Sequence, residues 1–162
     1  MKLMKLNELQ IPTWRWLHLN SYELEVDTDL NKPYQGGIIK TAFDNISIEK
    51  SVDKPSIINI PADVRRMYEF VNENKNYGLT ITIPKGVKLS EPITIDLELN
   101  EEYTVLIDFL HIKAEEGSLA DIIVTYHSKG NGKYFHGGFA YAEAESGSHI
   151  RLIKAQMLGE SD

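Results

Sequence analysis

Histidine is the first candidate for chemistry in this chain, because imidazole is the commonest metal-binding side chain and exchanges protons near neutral pH. The chain has five histidines, at His18, His111, His127, His136 and His149. Stacked coils could bring His111, His127 and His136 together around a metal. Their spacing matches no recurrent metal motif, and the His-x-His pair typical of cupin sites is missing. We therefore predict no metal site, and surface or partly buried positions for these side chains.

Carboxylates form a second candidate, since two later glycines are each preceded by a pair of acids. Gly117 follows Glu115 and Glu116, and Gly147 follows Glu143 and Glu145. Acids stacked from one coil to the next could serve as general acid and base, as in polysaccharide-degrading β-helices. A solvated turn corner carries the same pattern, and no cluster of aromatic or basic residues accompanies this one. We predict turn corners and no catalytic residue.

Other catalytic patterns are missing. The sequence contains no GxxxxGK[ST] phosphate loop, no GxSxG elbow, no HExxH pair and no cysteine. Ser118 and Ser148 lack an evident base and are predicted to be turn residues. The Gly137-Gly138 pair indicates a close backbone approach rather than a phosphate loop. The residues together predict that this chain is not an enzyme.

Charge and hydropathy exclude two further classes. The net charge of −7 leaves no basic stripe for a general nucleic-acid binder. Trp14 and Trp16 could form a platform for ligands or bases, but they are more typical of an amphipathic anchor that packs a short helix on a neighbouring body. No apolar run approaches the roughly 18 residues of a membrane span, and Met1–Gln10 lacks the apolar core of a signal peptide. We predict a cytoplasmic protein without membrane partners.

A repeat about 30 residues long indicates the architecture. Ala114–Val124 aligns with Ala144–Lys154 at an offset of 30, and Gly86 lies 31 positions before Gly117. A turn glycine followed by a short apolar run at a fixed period is typical of stacked coils. Strands of period two begin at Leu79, and the turns between them are short enough for triangular coils. The sequence predicts a mainly β chain, with β-solenoid coils at residues 79–162.

The first half predicts a different organisation. Residues 61–76 show helical spacing of apolar side chains, with Pro61 in the first turn and Tyr77-Gly78 at the end. This helix is expected to cap an end or flank of the sheets. Short strands are predicted at Ile38–Ala42 and Asn45–Glu49, and Val105–Ile112 reads as a strand buried on both faces. The sequence therefore predicts a small N-terminal α/β region at residues 1–78.

Four sequence elements occur in a recognisable order. In the longest of them, Phe70, Asn74 and Gly78 lead into Ile83-Pro84-Lys85-Gly86-Val87 and then Pro92-Ile93. The other three elements are Ile11–Trp16 (IPTWRW), Ala114–Ser118 (AEEGS) and Ala155–Gly159 (AQMLG). These elements resemble the SufB and SufD proteins of iron–sulfur cluster assembly, whose helix is followed by a V-P-K-G-V and P-I pattern. The resemblance covers the chain from about Ile11 to Gly159.

The resemblance implies a scaffold without catalytic residues of its own. Family members are right-handed parallel β-helices that pair with a second copy or a paralogue and dock the SufC ATPase. The family's ATPase-docking region and its proposed cluster ligands lie largely beyond the matched portion. An iron–sulfur cluster is thus implied for the full complex, and no cofactor for this chain. We expect the N-terminal part of a longer protein, or else a last coil protected by self-association.

Two other hypotheses use the same coils. One is a carbohydrate-active or carbohydrate-binding β-helix that works through its stacked carboxylates, and the other is a bare interaction module. The repeat is compatible with all three, and only the family motifs favour the scaffold. The sequence does not separate a SufB-like role from a SufD-like one.

Overall fold

A computed structural model describes residues 2–6, 22–26, 32–50, 60 and 62–159. Within these ranges the chain is mainly β, as the sequence predicts, with one helix. The elements are β1 Lys2–Leu6, β2 Tyr22–Val26, β3 Gly37–Lys40, β4 Ser47–Glu49, α1 Ala62–Asn74, β5 Tyr77–Ile83, β6 Ile93–Leu99, β7 Val105–Ala114, β8 Leu119–Ser128, β9 Phe135–Ala144 and β10 His149–Met157. The predicted anchor at Trp14 and Trp16 lies outside the described residues.

From β5 onwards the chain alternates between two four-stranded sheets. Sheet I has the strand order β4-β5-β7-β9, and sheet II has the order β10-β8-β6-β3. The later strands pair in parallel within each sheet, whereas β4 and β3 are antiparallel to β5 and β6. Strands β1 and β2 form a separate antiparallel pair. We call β5–β6, β7–β8 and β9–β10 the first, second and third rungs.

The sequence repeat is also the register of the parallel strands. Val105 pairs with Phe135 and Leu119 pairs with His149, each at a separation of 30 residues. The repeated residues Ala114 and Ala144 are themselves partners. Side chains on one face therefore lie above their equivalents in the next rung.

Glycines stack at the turns that join sheet I to sheet II. Gly86, Gly117 and Gly147 have φ of 71°, 68° and 67°, a region that residues with a Cβ rarely occupy. The Gly86 amide donates to the Glu116 carbonyl at 2.9 Å, and the Gly117 amide donates to the Ser146 carbonyl at 3.0 Å. The turns thus continue the hydrogen bonding of the strands from rung to rung.

The core lies between the two sheets. In β5 and β6, buried residues alternate with partly buried ones, as the period-two pattern predicts. The largest inner side chains are fully buried; they include Ile81, Ile83, Ile93, Ile95, Leu97, Leu106, Ile112, Ile122 and Tyr126. Sheet I is covered on its outer side as well, because Phe70 and Val71 of α1 pack on Ile107 and Phe109. Strand β7 is therefore buried on both faces, as its apolar sequence predicts.

Two expectations need refinement. The helix occupies Ala62–Asn74, inside the predicted range 61–76. The triangular cross-section is wrong for the described rungs, since residues between β5 and β6 form no third strand. Only Lys88 makes a bridge, to Leu119. The stretch contains two turns within nine residues, which leaves too little extended chain for a sheet.

Gly117 offers a test of the glycine stack. Replacing Gly117 with Ala should lower the free energy of unfolding by about 1–2 kcal/mol, because Cβ disfavours the left-handed backbone. Asn tolerates that backbone better, so Gly117→Asn should cost less than Gly117→Ala. Urea denaturation of the purified variants measures both.

The matched control is Gly137→Ala in β9, where the backbone is not left-handed and the nearest atom to a new Cβ lies 3.4 Å away. This control should lose little stability or none. Equal losses for Gly117→Ala and Gly137→Ala would contradict the role of the turn backbone.

Candidate functional site

The three histidines considered for a metal lie on three different surfaces. His111 is on the outer face of sheet I, His136 on its inner face, and His127 on the outer face of sheet II. In the described part of the chain no group of three or more His, Asp or Glu side chains is placed to hold a metal ion. His149 is exposed on β10, and His18 lies outside the described ranges. The stacking therefore does not bring the three side chains together.

Each of these three histidines pairs with acids instead. His111 is buried, so the predicted surface or partly buried position is wrong for this residue. Its Nε2 lies 2.5 Å from Glu143 Oε1. His127 is placed between two carboxylates, with Nδ1 3.1 Å from Asp96 and Nε2 3.3 Å from Glu98. Hydrogen bonds from Asn100, and more weakly from His127, hold the pKa of Glu98 below its usual range. Both pairs face outward and join neighbouring strands.

A buried polar cluster occupies the space between the sheets, and it is the strongest candidate site. Asp108 of β7 points inward between Leu106 and Leu110, and its side chain is only 5% exposed. His136 Nε2 lies 2.6 Å from Asp108 Oδ1. The Tyr126 hydroxyl donates to Asp108 Oδ2 at 3.1 Å. Both carboxylate oxygens are thus hydrogen-bonded, as a buried carboxylate requires.

Gly138 makes room for this cluster. It is the β9 residue in register with Asp108. A Cβ at Gly138 would lie 2.3 Å from Asp108 Oδ1 and 3.1 Å from His136 Nε2. The close approach predicted for the Gly137-Gly138 pair is therefore present at Gly138, where it accommodates a side-chain pair.

The aromatic rings around Asp108 are tightly placed. The Tyr126 and His136 rings stack with centroids 4.0 Å apart. The Tyr77 hydroxyl is buried and has no hydrogen-bond partner among the described residues. Burial, with the nearby Asp108 charge, raises the pKa of Tyr77 to about 12. The same two causes, in the same order, raise the pKa of Tyr126 far above its usual value.

The cluster holds an imidazole in one orientation by a carboxylate, an arrangement found in acid–base sites. Its surroundings limit what it can do. The His136 side chain is 7% exposed, and none of the described contacts brings a serine hydroxyl to its ring. The geometry therefore favours a structural role for the Asp108–His136 pair, which joins the second and third rungs.

The glutamates before the turn glycines have a repeated structural role. Glu115 Oε2 accepts the Lys85 backbone amide at 2.9 Å, and Glu145 Oε2 accepts the Glu116 amide at 3.0 Å. Lys85 and Glu116 hold equivalent positions in their turns, each just before the glycine. Each glutamate thus caps the turn of the preceding rung. Glu116 in turn accepts Lys85 Nζ at 2.5 Å on the exposed surface.

A cleft lies beside these glutamates. Its volume is about 360 Å³, and it is lined by Lys113, Ala114, Glu115, Glu143, Ala144 and Glu145. The carboxylates line it without an aromatic side chain. Glu115 and Glu145 each already hold a backbone amide, which restricts their movement as acid or base.

The two serines are in turns, as predicted. The Ser118 and Ser148 amides donate to the Glu115 and Glu145 carbonyls, each at 3.0 Å. The Ser148 hydroxyl donates to the Glu145 carbonyl at 2.7 Å. The Ser118 hydroxyl is buried and has no partner in the described part of the chain.

Sequence reasoning did not identify Asp108, Tyr126 or Tyr77 as candidate site residues. A signal for Asp108 was present, because it is the one acid within the apolar run Val105–Ile112. A buried acid needs donors, and His136 lies 28 residues further on, two positions before the register partner of Asp108. The two tyrosines carry no comparable signal, since tyrosine is common in strands.

Comparison of this chain with protein-family models, with curated proteins and with solved structures finds no match.

Buried tyrosines make the protein sensitive to alkali. A phenol whose pKa is raised in the folded state keeps its proton when the unfolded chain, near pH 10, has lost it. The stability that these protonated phenols contribute is therefore fully present below about pH 10. It should be lost as the pH rises through the folded-state pKa, near 12 for Tyr77. In an alkaline titration followed by phenolate absorbance, some of the eight tyrosines should ionise at a higher pH than the others, and we call these the late fraction.

Asp108→Asn sharpens the measurement. Removing the negative charge should lower the pKa of Tyr77, so part of the late fraction should ionise earlier. A variant of the exposed pair, Glu116→Gln, is the control and should leave the titration unchanged. Eight tyrosines that ionise together near pH 10 would contradict the buried positions.

Proposed function

We propose that this chain is a scaffold component of a Suf-type iron–sulfur cluster assembly system, without catalytic residues of its own. Its partners are a SufC-type ATPase and either a second copy or a SufB/SufD-type paralogue. The iron–sulfur cluster belongs to the full complex. The observation that carries the proposal is the place of the family-like motif in the fold.

That motif, Ile83–Val87, is the turn of the first rung. Pro84 accepts the Val87 amide through its carbonyl at 3.1 Å, and Gly86 adopts the left-handed backbone. The second family-like element, Ala114–Ser118, is the equivalent turn one rung later. Elements chosen for their resemblance thus have the same position in successive rungs, which supports a common origin for the pattern.

We also propose that the rungs are coils of a right-handed parallel β-helix. Support comes from the alternation of strands between two sheets and from the parallel pairing within each. Connections between parallel strands of one sheet are right-handed in about 98% of cases. The antiparallel strands β3 and β4 close the first rung.

The sheet edges at the third rung, opposite β3 and β4, support the proposal of a binding partner. Strands β9 and β10 are the last strands of their sheets among the described residues. A strand at a sheet edge presents unpaired N–H and C=O groups, which proteins normally cover or pair. A paralogue or second copy that adds strands there would satisfy these groups.

Co-purification tests the proposal. The tagged chain is expressed with a SufC-type ATPase and a SufB- or SufD-type paralogue, each pair also being tested alone. We expect a stable complex that contains the paralogue, with the ATPase recruited through it. Failure of the chain to bind the paralogue, the ATPase or itself would overturn the proposal.

Ala142→Glu locates the contact. Ala142 is exposed on the inner face of β9, so the variant should fold, but a partner strand beyond β9 would bury the new charge. Complex formation should weaken at least about tenfold, a loss of about 1.4 kcal/mol. Ser146→Glu, which adds the same charge at an exposed turn, is the control and should bind normally.

The alternative proposal is a carbohydrate-active or carbohydrate-binding protein. The cleft between Glu115, Glu143 and Glu145 supports it, because three carboxylates share one groove. Binding to a panel of polysaccharides, followed by a reducing-sugar assay, separates it from the scaffold. Binding that Glu143→Gln abolishes would favour this alternative, and no binding to any polysaccharide would remove it.

A further inference from the structure

The third rung differs from the first two in what fills its inner face. Strand β9 places small side chains against β7, and these are Gly138, Ala140, Ala142 and Ala144. Gly137 is the only residue of β9 and β10 that is buried, whereas β5 to β8 bury large apolar side chains. Apolar burial stabilises in proportion to the area removed from water. Ile150 and Leu152 of β10 also pack on the core, but they are only partly buried. The inner face of the third rung therefore gains less from apolar burial than the first two rungs do.

Polar contacts add to this thinner apolar layer. His136 of β9 binds Asp108 of β7, and Asp108 also accepts the hydroxyl of Tyr126 from β8. Lys154 of β10 places its Nζ 5.1 Å from the Tyr126 ring centroid. The cluster thus joins both strands of the third rung to both strands of the second.

The outer face of β9 adds a weaker attachment. Phe139 packs against Phe109 and against Tyr68 of α1, with ring centroids 5.7 Å and 5.3 Å apart. Phe139 is only partly buried. These rings keep part of their contact with water, so they hold the strand less firmly than a closed core would.

We propose that the Asp108–His136 pair is a latch on the third rung, and that β9 and β10 open as one unit while the first two rungs stay folded. Breaking one partner of a buried pair leaves the other charge without compensation, so the closed rung depends strongly on this contact. Opening exposes the backbone groups at the edges of β7 and β8 to water, so their amides can exchange.

Native-state hydrogen exchange on the wild-type protein tests the proposal directly. At low denaturant concentrations, amides of residues 135–157 should exchange with a lower opening free energy than amides of β5 and β6. A protein that opens only globally would show the same opening free energy for all three rungs. That result would overturn the proposal without any variant.

A pair of neighbouring glycines supplies matched variants. Gly138→Ala places a methyl group where the Asp108 carboxylate lies, whereas Gly137→Ala meets only ordinary contacts from 3.4 Å. We expect Gly138→Ala to speed exchange in residues 135–157 by about tenfold or more, with a much smaller change in β5 and β6. Gly137→Ala should leave exchange in residues 135–157 unchanged.

Histidine variants separate the latch from general packing. His136→Ala should repeat the effect of Gly138→Ala, and His136→Gln, whose amide can still donate to Asp108, should restore part of the protection. His149→Ala, which removes an exposed histidine from the same rung, is the control. Equal exchange in His136→Ala and His149→Ala, or equal acceleration in all strands, would contradict the latch.

Discussion

The left-handed turn that carries the chain from sheet I to sheet II is the constraint on which the other features depend. It occurs at Gly86, Gly117 and Gly147, and the turn amides donate to the carbonyls of the next turn. Because the turns stack in register, the strands that follow them are also in register. Glutamates at 115 and 145 add a side-chain acceptor to the same stack.

Register then decides what meets inside. A repeat of 30 residues places Asp108 beside Gly138, and the missing side chain of that glycine leaves space for the Asp108–His136 contact. A buried carboxylate with two donors is stable only while both remain in place. The same register that aligns the core therefore creates a polar contact on the inner face, between the second and third rungs. It also leaves β9 and β10 at the sheet edges, where we propose that a partner binds.

The repeat and the period-two alternation were enough to predict a mainly β chain. The helical spacing in residues 61–76 predicted the helix, and the continuous apolar run Val105–Ile112 predicted the strand buried on both faces. These patterns arise from local burial, which each residue type expresses directly. The triangular coil could not be decided in this way, since Val87 and Leu89 alternate like a strand but lie between two turns. The faces on which the three histidines lie could not be predicted from their spacing, for a related reason. Whether a residue points inward or outward depends on its parity along the strand, and His111 and His136 have opposite parity. Predicting the polar cluster around Asp108 requires the register of the strands as well as the face on which each residue lies. The sequence repeat showed only part of that register.

Cysteine pairs test the in-register stacking most directly, because the natural chain has no cysteine to interfere. Ile123 and Ile153 are cross-strand partners on the outer face of sheet II, and Ile153 is 44% exposed. Residues paired directly across neighbouring strands are close enough for a disulfide, which spans roughly 4.4–6.8 Å between Cα atoms. The account predicts rapid disulfide formation between Ile123→Cys and Ile153→Cys under mild oxidation, and little between Ile123→Cys and Arg151→Cys, which lies on the same face two residues out of register. Equal cross-linking of both pairs, or preference for the second pair, would contradict it.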